Sequence, residues 1–140
     1  MDLDRIERTM TLEAPRDEVW AAITEPDRIS KWFGKETELD LRPGGHGVFR
    51  WENMDDVHVV VEEVDPPRKF SYRWTPSHTP ADAPKTLVEF VLEEVPEGTV
   101  LRLVESGFAA LPPKAREGND QGWDAELGEL QEYLATRVGA

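Results

Sequence analysis

The sequence predicts an α+β domain in which a seven-stranded antiparallel sheet curls around one long C-terminal helix. Two short helices are predicted between the first strand and the second. Two observations carry this reading. Residues 119–138 form an amphipathic segment with a narrow apolar stripe of Trp123, Leu127, Leu130, Leu134 and Val138 at helical spacing. Almost everything before that segment reads as strands joined by short turns, the pattern of an antiparallel sheet with one apolar face in need of a cover.

Arg5–Leu12 alternates Ile6, Arg8, Met10 and Leu12 against Glu7, Thr9 and Thr11, as a half-buried strand does. Pro15 suits the first position of a helix with Asp17 and Glu18 in its first turn, and Val19, Trp20 and Ile23 form its apolar face. Thr24-Glu25-Pro26 ends it, and a second short helix over 26–33 presents Ile29, Trp32 and Phe33. A modest strand at 36–41 is followed by a turn at 42–47 with Pro43-Gly44 at the centre of a type II turn.

Strands follow at 48–53, with Phe49 and Trp51 on one face, and at 57–64, closed by Pro66-Pro67. Residues 69–75 place Phe70, Tyr72 and Trp74 on one face, and Thr86–Val95 places Val88, Phe90 and Leu92 on one face. The last strand, 99–108, aligns Leu101, Leu103 and Glu105. Two proline-bearing loops, 75–84 and 109–118, are placed to border an entrance. In the terminal helix Asn119 reads as the N-cap, Asp120 and Asp124 as first-turn acids, Arg137 as a last-turn base and Gly139 as the stop.

Composition narrows the function. At 140 residues the chain reads as a single domain, 1–140, large enough to bury a core. With no cysteine it has no disulfide framework, thiolate zinc site or cysteine nucleophile. The charged N-terminus is unlike a signal peptide and no apolar run spans a membrane, so a cytoplasmic location is expected. A net charge of −13 argues against nucleic acid and anionic membranes as partners and leaves an acidic docking face for a protein as an open reading.

Several motifs resemble those of a known family. Residues 14–24 (APRDEVWAAIT), Pro26-Asp27 and Lys31-Trp32-Phe33 resemble the opening of START-like, helix-grip (SRPBCC) proteins, and more narrowly the branch of the activator of heat-shock-protein-90 ATPase. Gly44-Gly45 before Phe49-Arg50-Trp51, residues 103–108 (LVESGF), and Gly122-Trp123 with Leu127, Leu130, Tyr133 and Leu134 are similar too. The resemblance implies seven strands gripping the C-terminal helix with a cavity between them. It implies function less well, because the superfamily includes carriers, cyclases, oxygenase domains and chaperone activators.

The inward strand faces would wall such a cavity with Phe49, Trp51, Phe70, Tyr72, Trp74, Phe90, Leu101, Leu103 and Glu105, and the helix would add Trp123, Leu127, Leu130 and Tyr133. Aromatic walls with a few polar tips suit an apolar or aromatic small molecule. The same side chains could instead fill the core. Trp20 and Trp123 read as packing anchors. Glu105 is in phase with the inward face, where a carboxylate can act as general base or ligand hook. The competing and weightier reading leaves it at a solvated rim or paired with an arginine.

His46, His58 and His78 lie on separate segments without metal-ligand spacing, so no metal and no cofactor are expected. The glycine-rich turn lacks a phosphate-loop ending, and Ser106 has no matched base. The leading expectation is therefore a non-enzymatic binding protein for an apolar or aromatic metabolite, with no catalytic residue assigned. A cyclase- or hydrolase-type enzyme using Glu105, with Tyr72 beside it, and a chaperone-activator-like interaction module are the alternatives.

Overall fold

A computed structural model describes residues 4–34, 36–52, 55–76 and 84–138. Strand β1 (Arg5–Leu12) precedes helices α1 (Arg16–Thr24) and α2 (Pro26–Ile29). Strands β2 (Glu36–Leu39), β3 (His46–Arg50), β4 (Val57–Asp65), β5 (Lys69–Trp74), β6 (Thr86–Val95) and β7 (Gly98–Ser106) follow. A 3-10 turn at Phe108–Ala110 leads into helix α3 (Pro113–Val138).

The strands make one seven-stranded sheet in the order β1-β7-β6-β5-β4-β3-β2, every neighbouring pair antiparallel. It is a meander from β2 to β7, with β1 added beside β7. This is the helix-grip arrangement, with α1 and α2 inserted between the first two strands.

Register fixes which side chains share the inner face. One row across the sheet runs Ile6, Glu105, Val88, Tyr72 and Val61, and the next runs Thr86, Trp74, Val59 and Gly47. Alternation turns these residues toward α3 and the charged ones between them toward water. On α3, Trp123, Leu127, Leu130 and Leu134 are buried, the face the stripe predicted. Each such side chain contributes roughly 1.5–3 kcal/mol by leaving water.

The helix backbone comes nearest to β1, α1 and the 3-10 turn. Arg8 on β1 reaches across to it, with Nη2 2.6 Å from Asp120 and Nε 2.9 Å from Asp124. Arg116 donates to the carbonyl of Arg5 at 3.0 Å. Along the middle strands the space between helix and sheet is bridged by aromatic rings.

Several element boundaries differ from those predicted. Helix α3 starts at Pro113, so Asn119 is an interior residue and not the N-cap, and Asp120 and Asp124 are not first-turn acids. The prolines that read as a loop start the helix instead: Pro113 sits where its missing N–H costs nothing, and Ala115 N–H bonds back to the Pro112 carbonyl at 3.0 Å. The predicted 109–118 loop is thus a 3-10 turn and the first turns of α3.

Pro15 is the N-cap of α1 and not its first helical residue. Helix α2 ends at Ile29, after which successive turns, including Phe33 N–H to the Ile29 carbonyl at 2.7 Å, carry the chain to 33. Strand β2 stops at Leu39 and β3 at Arg50, which leaves Trp51 just past the strand. The turn between them behaves as predicted: Gly44 has φ +81° and Gly45 N–H bonds the Arg42 carbonyl at 2.8 Å, a type II arrangement. His46 opens β3 and His58 lies on β4, both exposed. Asn53, most of the 75–84 loop with His78, Gly139, and the side chains of Arg137 and Val138 lie outside the described residues.

Candidate functional site

The site is built around Glu105, next to last in β7 and fully buried. The inner-face phase that aligned it with Leu101 and Leu103 holds to the end of the strand. It is neither at a solvated rim nor paired with an arginine. Its carboxylate takes five hydrogen bonds from four neutral side chains. Oε2 accepts from Trp74 Nε1 at 2.8 Å, Thr86 Oγ1 at 2.5 Å and Asn119 Nδ2 at 2.9 Å. Oε1 accepts from Trp123 Nε1 at 2.7 Å and from the same Asn119 nitrogen at 3.0 Å.

The donors arrive by register. Thr86 and Trp74 oppose each other on β6 and β5, one step from the row of Glu105, while Asn119 and Trp123 lie one helical turn apart on α3. A carboxylate offers about four lone-pair directions, so this one has none left for a substrate proton. The arrangement pins α3 to the sheet. It does not supply a general base.

Around this carboxylate the rings pack on one another. Phe33, from the turn after α2, stacks on Trp74 and Trp123 with centroids 5.9 and 5.6 Å away and both interplanar angles 20°. Trp74 and Trp123 are themselves 5.7 Å apart. Phe49 meets Phe33 edge-on at 5.1 Å and Tyr72 meets Trp74 at 5.3 Å. Trp32, beside Phe33, is fixed by its indole N–H on the Ala22 carbonyl at 2.8 Å. Gly34, at φ +79°, turns the chain so closely against Trp51 that an added Cβ would lie 3.2 Å from its ring.

Of the predicted wall, Phe49, Phe70, Tyr72, Trp74, Phe90, Leu101, Leu103, Glu105, Trp123, Leu127 and Leu130 are buried, and Trp51 and Tyr133 are half-buried. Trp74, Glu105 and Trp123 meet directly, with Phe49, Tyr72 and Phe90 around them. Leu101 pairs with Met10 and Leu92 further down the sheet, two residues beyond Leu103, as part of the general core. Trp51 meets the cluster through Phe33 and Phe49, at 5.0 and 6.2 Å.

Sequence reasoning missed Phe33, Thr86, Asn119 and Glu126. Glu126, an acidic residue of the helix, lies half-buried near Trp51. Its Oε2 is buried with no hydrogen-bond partner among the described residues. Burial, helped by the nearby Glu129 charge and opposed by the Trp51 indole, pushes this carboxyl from the ordinary 4.5 up to about 7. The Tyr72 hydroxyl is likewise driven well above the usual phenol range, first by burial and then by the charges of Glu105 and Glu126.

A pH prediction follows for Glu126. Between about 4.5 and 7 the folded chain holds a proton on Glu126 that the unfolded chain has released, so stability falls as pH rises through that window. Glu126→Gln removes this contribution. The melting temperature of the variant should therefore gain on the parent between pH 5 and pH 8, as followed by thermal denaturation. An identical offset at both pH values would show that Glu126 titrates alike in the folded and unfolded chain.

A cleft of about 410 Å³ lies elsewhere, between the β1–α1 connection and the β6–β7 turn. It is lined by Glu13, Asp17, Glu94 and Glu97 against Arg16, at the other end of β7 from Glu105. This is not the place where a cavity was expected. Among the described residues no group of His, Asp and Glu side chains is arranged to hold a metal ion, and no helix is long and apolar enough to cross a membrane.

Against known proteins, the family model described as Activator of Hsp90 ATPase homolog 1-like protein matches residues 13–135. The chain belongs to that family. A curated relative, uncharacterized protein C1711.08 of Schizosaccharomyces pombe, is 25% identical over 118 residues, 84% of this chain and 34% of the relative. The chain thus spans about a third of that relative's length.

Among solved structures, protein MLL2253 from Mesorhizobium loti is similar at 26% identity and a TM-score of 0.84, with 94% of this chain and 97% of that one covered. DynU16, described as a protein in the dynemicin biosynthetic locus, is similar at 26% identity and a TM-score of 0.82 over 95% of this chain and 48% of that one. Membership of the Activator of Hsp90 ATPase homolog 1-like family accounts for the helix-grip architecture, and leaves the chemistry of the site to be read from its residues.

Proposed function

We propose that this chain binds an apolar or aromatic small molecule between its sheet and α3, and that it performs no chemistry on it. One observation carries the reading. Aromatic rings span much of the gap along the middle strands, and one of them, Phe33, belongs to neither wall. It comes from the turn after α2 and stacks against Trp74 and Trp123 at the spacing a flat guest would adopt. The guest takes the slot that Phe33 holds, bounded by Trp32, Phe49, Trp51, Trp74 and Trp123.

The saturated Glu105 supports the non-enzymatic half of the reading, since the acid–base role would need a free oxygen. The likeness to a protein of a biosynthetic locus supports a small-molecule partner over a macromolecular one. Native mass spectrometry of freshly purified protein, joined to a tryptophan-fluorescence titration with indole and naphthalene, tests it. A one-to-one adduct and saturable quenching are expected. A bare chain mass together with unresponsive tryptophan emission would refute the binding function.

A further inference from the structure

Two carboxylates reach the interior beneath α3, and they are treated oppositely. Glu105 is satisfied by five hydrogen bonds. Glu126 lies near Trp51, and its buried Oε2 has no donor among the described residues. Buried polar atoms in native proteins are almost always paired, so an orphan oxygen in an aromatic setting marks a place for a partner from outside.

We propose that Glu126 is the polar anchor for the guest, and that the guest class is an aromatic or apolar body carrying an amine or N–H donor. The inference rests on the binding function proposed above and adds the chemistry of the ligand. Three features select a donor over an acceptor or an anion. The free atom is a carboxyl oxygen, which above about pH 7 belongs to the ionised, acceptor-only form. The charges that act on Tyr72 and Glu126, those of Glu105, Glu126 and Glu129, are acidic, and the cation Arg28 acts on Tyr133 at the far end of the helix. A net charge of −13 acts in the same direction at longer range.

Helical geometry sets Glu126 in line with two other residues that lean toward the sheet. Asn119, Glu126 and Tyr133 recur every seventh residue, so they form one column on the flank of the apolar stripe. Asn119 at one end holds Glu105, and Tyr133 at the other is half-buried. Glu126 stands between them, next to the apolar stripe and beside the half-buried Trp51.

Three probes of one shape separate the possibilities by calorimetry: 2-phenylethylamine, propylbenzene and 3-phenylpropanoate. The amine is expected to bind at least tenfold more tightly than propylbenzene, with the anion weakest. Glu126→Gln should erase the preference for the amine and leave propylbenzene unchanged. Glu132→Gln, which removes the same charge from an exposed position on the same helix, should leave the preference intact.

Equal binding of amine and propylbenzene, or an equal loss in the two variants, overturns the anchor while the aromatic slot stands. Failure of all three probes to bind overturns the slot and the anchor together. Circular dichroism of both variants confirms that the fold is retained, and a misfolded Glu126→Gln is replaced by Glu126→Met for the same comparison.

Discussion

Glu105→Gln is expected to lower the unfolding free energy by about 3 kcal/mol, a large share of what holds a domain of this size together. The carboxylate accepts from two indoles, a hydroxyl and an amide in a fully buried position. Glutamine keeps one acceptor oxygen and points an N–H₂ group at donors, so either Trp123 or both Trp74 and Thr86 lose their acceptor, and every bond that remains is to a neutral group. Each buried donor left unsatisfied costs about 1–3 kcal/mol, and bonds to a charged acceptor are the stronger kind. Urea denaturation of Glu105→Gln against Glu129→Gln, an exposed control on α3, measures the difference. Because Glu105 joins β7 to α3 through Asn119 and Trp123, the loss should be accompanied by a change in tryptophan environment in the folded state. A variant within about 0.5 kcal/mol of the parent, the range of ordinary surface changes, would mean the network is ornamental.

The same network shows what a sequence can and cannot display. Strand content was legible because inner-face alternation and turn chemistry are local: Arg5–Leu12 and Thr86–Val95 carry their full bounds in their pattern. Glu105 was legible as inward by phase, but its partners come from residues 74, 86, 119 and 123, and no spacing along the chain announces a meeting of three strands and a helix. Asn119 was misread for a physical reason. An asparagine before an apolar stripe is a good N-cap, and the true start at Pro113 hid behind prolines that also signal loops. One turn before Trp123, Asn119 was in phase with the stripe, and that phase was the available signal. Glu126 sat on the flank of the stripe and looked like one more surface acid, because the half-buried site it occupies is completed by Trp51 from beyond the end of β3. Phe33 was read as core of a short helix. Its role depends on a turn, and turns place side chains with far less regularity than strands do.

Phe33→Ala is expected to cost about 3–4 kcal/mol in stability and, at the same time, to tighten the binding of indole about tenfold. The stability loss is the ordinary consequence of removing a buried ring that contacts Trp32, Phe49, Trp51, Trp74 and Trp123. The affinity gain has a different origin. If the wild-type ring must vacate the slot before a guest enters, the competent state is only a fraction of the population, and apparent affinity is reduced by that fraction. Deleting the ring removes the competition. Trp123→Ala provides the contrast, since it removes a wall of the slot and a donor to Glu105 together. It should lose both stability and binding. Paired thermal melts and indole titrations on the two variants distinguish an occupied slot from plain core. In plain core the cavities left by Phe33→Ala and Trp123→Ala would both admit indole according to their volume, and the larger tryptophan void would bind it better. Tighter binding in Phe33→Ala with loss in Trp123→Ala is the ordering that only a slot held by its own side chain produces.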